Sequence, residues 1–406
     1  DLDLKPRIIY PIEGKKQINR FAFVIHPLSQ KYLTNLKPLE LLSKVSPPAV
    51  MDVVEKAIAH TPPLVYSEVE GIRSPSGVEA KGWLITVGGT PKQIMAHSPE
   101  FTYRQLLAAA DMAKKMGAQI MGLGAFTKVV GDAGVTVAKR APLPITTGNS
   151  YSASGALWAA HDAAARLGFV KLEKGERIKG KAMVVGATGA IGSACARLLA
   201  RTAEEVHLVS PESAKLLVLE ESILRESPGV KLVLASYADS DRSIGEMDMI
   251  VTATSGAGKK ILDIMKVKPG CVITDVARPL DLPADEVAKR PDVLVIESGE
   301  VYLPGEVRMT QIGFEDHNVV YACLAETIVL TLEGRFENFT LGRTIEWEKV
   351  HEIYKLGLKH GMRLAAISGV NGVYSDEDIA KVRELALEAR EKAKGPSAPQ
   401  AEAPSE

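Results

Sequence analysis

Short apolar runs alternate with segments of helical periodicity over the first 170 residues. Phe21-Ala-Phe-Val-Ile25 is a continuous apolar run that ends at His26, a pattern typical of a buried strand. Two helical segments each end at a glycine, the residue most common just after a helix. The pattern predicts strands at 21–25, 62–70, 78–87 and 119–123, and helices at 100–117 and 152–168. This alternation is typical of an α/β layer structure.

A more regular pattern begins near residue 181. Six short runs rich in Val and Ile follow one another, the first three of them separated by helical segments. Strands of this composition, buried on both faces and connected through helices, predict a parallel doubly wound sheet. The strands are expected at 182–186, 206–210, 230–235, 249–254, 271–276 and 293–298, and the helices at 190–201 and 211–226.

The last 90 residues are mainly helical by pattern. Helices are predicted at 316–334, 345–361 and 376–394. The final segment, 394–406, is poor in apolar residues and rich in Pro, Ala, Ser and Glu, so we expect it to be disordered.

Composition and charge exclude several classes of protein. The 406 residues include 49 Lys and Arg against 50 Asp and Glu, and only 5% are aromatic, so neither a basic nucleic-acid surface nor a stacking platform is expected. Three cysteines suit a reducing compartment, and their spacing predicts no metal site. No apolar run is long enough to span a bilayer and the first residues contain no signal-like stretch. We therefore expect a cytoplasmic protein with at most peripheral membrane contact.

The clearest motif is the glycine-rich segment Gly186-Ala-Thr-Gly189-Ala-Ile-Gly192-Ser, which follows a predicted strand and opens a helix. Glycines permit a sharp turn and a close approach to a pyrophosphate, and the helix start offers free N–H groups and a partial positive charge. A tight turn without a ligand is the alternative, which the regular βα units that follow make less favourable. The predicted cofactor-binding residues of the loop are Gly186, Thr188, Gly189, Ala190, Ile191 and Gly192.

The end of the next strand indicates which dinucleotide binds. NAD-preferring sites usually have an acidic residue there to hold the ribose 2′-hydroxyl. Ser210 occupies that place and Lys215 is near, although Glu212, two residues further on, could still intrude. The sequence therefore favours NADPH as the cofactor. Further cofactor-binding residues are expected at the ends of two later strands: Thr254, Ser255 and Asp275.

Together these patterns predict an N-terminal α/β substrate domain followed by a Rossmann-like doubly wound parallel sheet. The C-terminal helices are expected to pack back across the crevice between the two domains. The predicted divisions are an N-terminal extension (1–20), the substrate domain (21–170), the NADP(H)-binding domain (171–312), the C-terminal helices (313–393) and the tail (394–406).

Cys323 lies early in the first C-terminal helix. Thiolates attack carbonyls and thioesters, and the first turn of a helix or a nearby cation favours the thiolate. His317 is six residues earlier, off the same face, whereas Glu326 is three residues later and adjacent. Taken alone, a cysteine in such an apolar setting is more commonly a packed core residue, and the other two cysteines, Cys195 and Cys271, are predicted to be so.

The loop 146–151 carries polar side chains at the junction of the two regions. Thr147, Asn149 and Tyr151 could donate hydrogen bonds to a carbonyl or to a nicotinamide amide. An N-cap made by Asn149 or the next residue explains the same pattern equally well. His26 follows a buried strand, where both satisfied structural histidines and catalytic groups occur.

Several segments together resemble the cyanobacterial-type long-chain acyl-[acyl-carrier-protein] reductases, which form fatty aldehydes. The similarity extends over most of residues 20–367, and the segment 304–318 departs from it. The matching stretches are FAFVIHPLS (21–29), GLGAFTKVV (122–130), ITTGNSYSA (145–153), VVGATGAIGSACARLL (184–199), CVITDVARP (271–279), YACLAETIVLTLEGRFENFTLGR (321–343) and KHGMRLAAI (359–367).

The resemblance implies a ping-pong reduction. The family cysteine, which falls on Cys323, takes the acyl group from a carrier thioester, and NADPH then delivers hydride to release the aldehyde. The implied partners are a long-chain acyl-carrier protein or acyl-coenzyme A, and an enzyme that consumes the aldehyde. Oxyanion donors are then sought among Asn149, Thr147 and backbone N–H groups.

Two other functions fit the same sequence. One is a dehydrogenase with a catalytic domain ahead of its Rossmann domain, like shikimate or methylene-tetrahydrofolate dehydrogenases, in which Cys323 is merely packed. The other is a non-enzymatic NADP(H)-binding scaffold that docks proteins through its charged C-terminal helix. The fold alone does not decide between them.

Overall fold

The computed structural model describes most of the chain, namely residues 17–27, 33, 37–128, 130–171, 178–254, 260–277, 280–310, 312, 314–342 and 345–395. The chain forms two compact units, one of Asp1–Ser152 with Val301–Arg363 and the other of Ala153–Glu300 with Leu364–Glu406. The sequence-based divisions at 170 and 312 thus differ from the unit limits. The predicted tail from 396 onward lies outside the described residues.

The chain alternates between strands and helices along most of its length. The strands are β1 (Ile18–Ile25), β2 (Leu64–Arg73), β3 (Glu79–Thr86), β4 (Ile120–Leu123), β5 (Ile145–Thr146), β6 (Ile178–Val185), β7 (Ala203–Val209), β8 (Lys231–Ala235), β9 (Met249–Thr252), β10 (Val272–Asp275), β11 (Leu294–Ile296), β12 (Ser298–Tyr302), β13 (Gly305–Arg308), β14 (Val319–Val320), β15 (Arg363–Gly369) and β16 (Gly372–Val373). The helices are α1 (Lys37–Val45), α2 (Pro48–Ala59), α3 (Pro91–Ala96), α4 (Pro99–Met116), α5 (Val135–Arg140), α6 (Asn149–Leu167), α7 (Ala190–Thr202), α8 (Ser213–Glu226), α9 (Tyr237–Ser243), α10 (Ala284–Val287), α11 (Ala322–Glu333), α12 (Trp347–Lys359) and α13 (Asp376–Ala393).

The first unit contains a mixed six-stranded sheet in the order β13-β2-β3-β1-β4-β5. Strand β1 is parallel to both β3 and β4, while β2 is antiparallel to β3. Phe21 and Phe23 pack into one core with the apolar side chains of α11, and Ala22 and Val24 pack into another with α4. Burial on both faces explains why β1 is a continuous apolar run rather than an alternating one.

The second unit contains a parallel six-stranded sheet in the order β8-β7-β6-β9-β10-β11. Numbered within the sheet, this is the order 3-2-1-4-5-6 of the Rossmann fold. Apolar side chains of β6 enter a core on each face, Val184 on one side and Met183 and Val185 on the other. The predicted α/β class with a doubly wound Rossmann-type sheet is confirmed.

The sequence pattern was right for most elements and wrong for a few. The predicted helix 316–334 begins only at Ala322, because Val319 and Val320 form β14 and pair with the end of β12. The pattern does not predict several further elements, namely helices α1–α3, α5, α9 and α10 and strands β5, β12, β13, β15 and β16. The expected glycine C-caps are confirmed at Gly117 (φ +98°) and Gly168 (φ +72°), both in the left-handed conformation that favours glycine. Packing of the C-terminal helices across a crevice stays a prediction.

Candidate functional site

The glycine loop between β6 and α7 in the second unit has the geometry of a phosphate-binding turn. Gly186 adopts φ +86°, and its N–H donates to the carbonyl of Val209 over 2.9 Å. A Cβ on Gly192 would lie 1.9 Å from the Gly186 carbonyl oxygen, so the close approach of turn and helix requires glycine. The N-cap residue, Gly189, has no side chain with which to cap the helix. The first N–H groups of α7 therefore remain available for an anionic group such as a pyrophosphate, and the loop fits a dinucleotide.

The carboxylate of Glu212 lies near the end of β7. Ser210 occupies the position there at which NAD-preferring sites usually have an acidic residue. Ser210 is buried, and its Oγ lies 2.6 Å from Oγ1 of Thr188 in the glycine loop. Thr188 also donates to Oε2 of Glu212 over 2.8 Å, and Lys215 donates to Oε1 of the same carboxylate over 2.5 Å. The hydrogen bond from Lys215, followed by that from Thr188, lowers the pKa of Glu212.

The residues predicted at the later strand ends hold loops in place. Thr254 donates to Asp281 through its N–H (3.0 Å) and its hydroxyl (2.7 Å). Asp275 is almost fully buried and accepts a bond from the N–H of Leu282 over 2.8 Å. Burial raises the pKa of Asp275. Ser255 lies outside the described residues, and contact of this group with a cofactor stays a prediction.

The three cysteines differ sharply in exposure. Cys195 and Cys271 are fully buried in the second unit, in agreement with their predicted packing role. Burial raises the pKa of the Cys195 thiol to about 12 and also raises that of Cys271. Cys323 is half-buried and is the second residue of α11, whose N-cap Tyr321 makes no side-chain capping bond. A thiol in such a first turn lies beside free N–H groups and a partial positive charge, which favour anions.

Gly148 brings the loop 146–151 directly against this cysteine. A Cβ on Gly148 would lie 2.4 Å from the Cα and 2.5 Å from the Cβ of Cys323, and Gly148 has φ +78°. Space and backbone conformation thus both require glycine at this position. The polar loop and the predicted nucleophile, separate in the sequence, are neighbours in the first unit.

The buried carboxylate of Glu326 accepts hydrogen bonds from the same loop, 146–151. It accepts bonds from the hydroxyl of Thr146 (2.6 Å) and from the N–H of Tyr151 (3.0 Å). It also accepts from the hydroxyl of Thr340 (3.2 Å) and from the backbone of Gly148. Complete burial raises the pKa of Glu326, while these bonds act in the opposite direction. The hydrogen bonds to Glu326 thus join three segments that are distant in the sequence.

The predicted polar residues of the first unit are not equally accessible. Thr147 and Tyr151 are fully buried, and burial raises the pKa of the Tyr151 phenol, whereas Asn149 is half-buried and opens α6. The hydroxyl of Thr147 has no hydrogen-bond partner among the described residues. His26 is buried at the end of β1, with Nδ1 2.8 Å from the carbonyl oxygen of Pro27, and burial lowers its pKa. Of these four residues, Asn149 most nearly matches the exposure of Cys323.

Sequence reasoning missed two members of this site. The sequence shows Glu326 only as a helical neighbour of Cys323 and indicates no role for Thr340. Both lie in the stretch 321–343 that carried the family resemblance, which was the one available signal. Within the described residues, no cluster of His, Cys, Asp or Glu could hold a metal ion, and no helix there is long and apolar enough to cross a membrane.

Fold and loop define a protein with an NAD(P)-binding Rossmann domain and a second α/β unit that carries a half-buried cysteine. The chain matches no family model. It is 29% identical to aminotransferase PigE of Serratia sp. over 349 residues, which are 84% of this chain and 39% of PigE. It is 26% identical to the long-chain acyl-[acyl-carrier-protein] reductase of Synechococcus elongatus over 319 residues, which are 76% of this chain and 89% of that enzyme. The chain therefore spans well under half the length of PigE and most of the length of the reductase.

Sequence similarity to a curated dehydrogenase covers only a part of the chain. Shikimate dehydrogenase (NADP(+)) of Rhodospirillum rubrum is 31% identical over 109 residues, 26% of this chain and 38% of that enzyme. Among solved structures, shikimate 5-dehydrogenase of Listeria monocytogenes covers 71% of this chain and 88% of its own, at 13% identity and a TM-score of 0.31. Quinate dehydrogenase of Corynebacterium glutamicum covers 92% and 100%, at 12% identity and a TM-score of 0.32. The fold assignment rests on the strand order of this chain itself.

Proposed function

We propose that the protein is an NADPH-dependent reductase that converts a long-chain fatty acyl thioester to a fatty aldehyde through an acyl-cysteine. The observation that carries the proposal is the half-buried Cys323, placed in the first turn of α11 and in contact with Gly148. The two other thiols are sealed in cores with raised pKa values. Only Cys323 thus combines exposure with an environment suited to a nucleophile.

In the first half-reaction, the Cys323 thiolate attacks the carbonyl carbon of the incoming thioester. The bond between acyl carbon and carrier sulfur breaks, and the carrier leaves as a thiol after taking up a proton. The acyl group is then bound to Sγ as a new thioester. This exchange conserves the energy of the thioester bond, so no ATP is needed.

The second half-reaction needs a hydride at the acyl carbon, which NADPH would supply when bound. The carbonyl oxygen acquires negative charge in this step, and the half-buried amide of Asn149 is the candidate donor to it. When the bond between that carbon and Sγ breaks, the aldehyde leaves and the Cys323 thiolate is restored. Glu326 contributes indirectly, since it fixes the loop that carries Gly148 and Asn149.

Cofactor and acyl donor are proposed on different grounds. The free helix start and bare glycines of the loop 186–192 would hold the pyrophosphate, and Lys215 is the nearby cation for a 2′-phosphate. The similarity to the acyl-[acyl-carrier-protein] reductase, over 76% of this chain, supports an acyl-carrier protein or acyl-coenzyme A as donor. An enzyme that consumes the aldehyde is the expected downstream partner.

The test is NADPH oxidation with palmitoyl-coenzyme A and with palmitoyl-carrier protein. Cys323→Ala is expected to lower turnover at least about 10³-fold, as for other removed nucleophiles. Cys195→Ala serves as the matched control, because its thiol is buried in the core of the other unit, and its turnover should stay within a few fold of the unsubstituted chain. Full turnover by Cys323→Ala would contradict the covalent mechanism.

A direct dehydrogenase is the second candidate, favoured by the 109-residue similarity to shikimate dehydrogenase. In that case hydride passes straight to a small bound substrate and Cys323 is a packing residue. NADP⁺ reduction with shikimate, unchanged by Cys323→Ala and accompanied by no turnover of palmitoyl thioesters, would establish this candidate and exclude the first.

A further inference from the structure

Glu212 and Lys215 form an ion pair at the end of β7, beside the glycine loop. Lys215 Nζ lies 2.5 Å from Oε1 of Glu212, and Thr188 of the loop donates to Oε2. The N–H of Glu212 donates to Oγ of the buried Ser210 over 3.1 Å. Glu212 is therefore held to Ser210 by its backbone N–H and to the loop by one carboxylate oxygen, whereas the other oxygen accepts from Lys215.

The position of this ion pair bears on the choice between NAD(H) and NADP(H). In Rossmann domains the adenosine ribose lies at the end of the second strand, where a carboxylate accepts from the 2′-hydroxyl and a cation binds a 2′-phosphate. Glu212 offers an acceptor that suits the hydroxyl and repels the phosphate. Lys215 offers three N–H donors and a positive charge that suit the phosphate. Both determinants are present, one helical turn apart.

The pair is weak enough to be exchanged. The side chains of Glu212 and Lys215 are 47% and 65% exposed, and ion pairs in such a setting contribute little to stability because water screens them. Lys215 can therefore leave Glu212 for a phosphate at small cost. Glu212 keeps its bond to Thr188 when this happens, so its charge remains near the bound nucleotide.

We propose that Glu212 and Lys215 together set the nucleotide preference of this chain, Lys215 by binding the 2′-phosphate of NADP(H) and Glu212 by accepting from the 2′-hydroxyl of NAD(H). The protein accordingly binds both nucleotides, and Glu212 limits the preference for NADP(H) that Lys215 supplies. This inference rests on the nucleotide-binding part of the proposed function and is independent of the chemistry of Cys323.

The experiment measures equilibrium binding of 2′-phospho-ADP-ribose and ADP-ribose to the full chain by calorimetry, without an acyl substrate. The quantity of interest is the ratio of the two dissociation constants. Glu212→Gln is expected to shift the ratio about tenfold toward the 2′-phosphorylated ligand, and Lys215→Gln about tenfold the other way, each a change of one charge beside the ligand. Glu221→Gln is the matched control, because it removes an exposed, ion-paired carboxylate from the same helix, and it should leave the ratio unchanged.

Ratios within twofold of the unsubstituted chain in both variants would overturn the proposal, as would shifts in the opposite directions. Failure of the unsubstituted chain to bind either ligand would overturn it together with the nucleotide part of the proposed function. The two variants could shift the ratio of dissociation constants as expected in a chain that does not reduce palmitoyl thioesters. That result would support this inference and refute only the thioester chemistry.

Discussion

The two candidate sites of the molecule are built in opposite ways. The nucleotide loop uses residues 186–192 and 210–215, segments that each lie at the end of a strand and are adjacent in the sheet. The cysteine site joins three distant segments, at 146–151, 323–326 and 340, through the buried carboxylate of Glu326. The first therefore depends mainly on local backbone geometry, and the second on a tertiary polar network.

The two sites are therefore sensitive to different substitutions. The turn itself positions the backbone N–H groups and glycines of the nucleotide loop. Side-chain changes around the loop should therefore alter its affinity for the nucleotide and leave the loop conformation intact. A buried carboxylate with several donors leaves those donors unsatisfied when it is removed. Substitutions in the two units test whether the sites differ in this way.

Gly148→Ala should damage the cysteine site most. The new Cβ would lie 2.4 Å from the backbone of Cys323 and the residue would also be strained at φ +78°, so we expect a loss of about 3 kcal/mol or more in unfolding free energy. Gly77→Ala is the matched control, since Gly77 has φ +89° and nothing lies within 4 Å of its added Cβ. Urea denaturation should show a loss of only about 1 kcal/mol there; equal losses in the two variants would mean that contact with Cys323 is unimportant.

Glu326→Gln should cost the first unit about 1–3 kcal/mol, because the amide nitrogen that replaces one carboxyl oxygen cannot accept the hydrogen bonds that this oxygen accepts. The rate at which iodoacetamide alkylates Cys323 should change as well, since the loop beside the thiol loses its anchor. Peptide mapping by mass spectrometry measures that rate. A variant as stable as the unsubstituted chain, with an unchanged alkylation rate, would show that the network does not organise the site.

The loss of unfolding free energy caused by Glu326→Gln should depend on pH. Burial raises the pKa of Glu326 above its ordinary value of 4.5, so the folded chain holds this proton to higher pH than the unfolded chain does. The stabilisation is fully present below pH 4.5 and is lost as pH rises through the folded pKa. The cost of Glu326→Gln should therefore be largest below pH 4.5 and shrink at higher pH in paired denaturation curves. A cost that grows with pH would contradict this assignment.

Ser375→Ala tests the local character of the second unit. Ser375 caps α13 in a reciprocal capping box with Asp378, at 3.1 and 2.8 Å, so its removal should cost about 1 kcal/mol. Ser98→Ala is the control, because Ser98 precedes α4 without a side-chain capping bond. The midpoint of thermal unfolding should fall for Ser375→Ala and barely change for Ser98→Ala. Equal shifts would show that the capping bonds of Ser375 do not contribute to stability.

Sequence reasoning succeeded where structure is local. The Rossmann strands, the glycine loop and the glycine C-caps follow from periodicity and from the conformational demands of single residues. The site in the first unit could be foreseen only in its parts, because nothing in the spacing of Thr146, Glu326 and Thr340 shows that they meet. The sequence places Glu212 two residues beyond Ser210 but, for a similar reason, does not show its contact with the glycine loop. Its carboxylate turns back to Thr188, a contact that depends on the register of β6 against β7.

The most direct test of the proposed mechanism is the fate of the acyl group in the absence of NADPH. The chain is incubated with palmitoyl-coenzyme A, and its intact mass and tryptic peptides are measured. The mechanism predicts a single palmitoyl adduct, located on Cys323 and released as aldehyde when NADPH is added. An adduct on Cys195 or Cys271, or no adduct in a chain that still oxidises NADPH with this substrate, would contradict it.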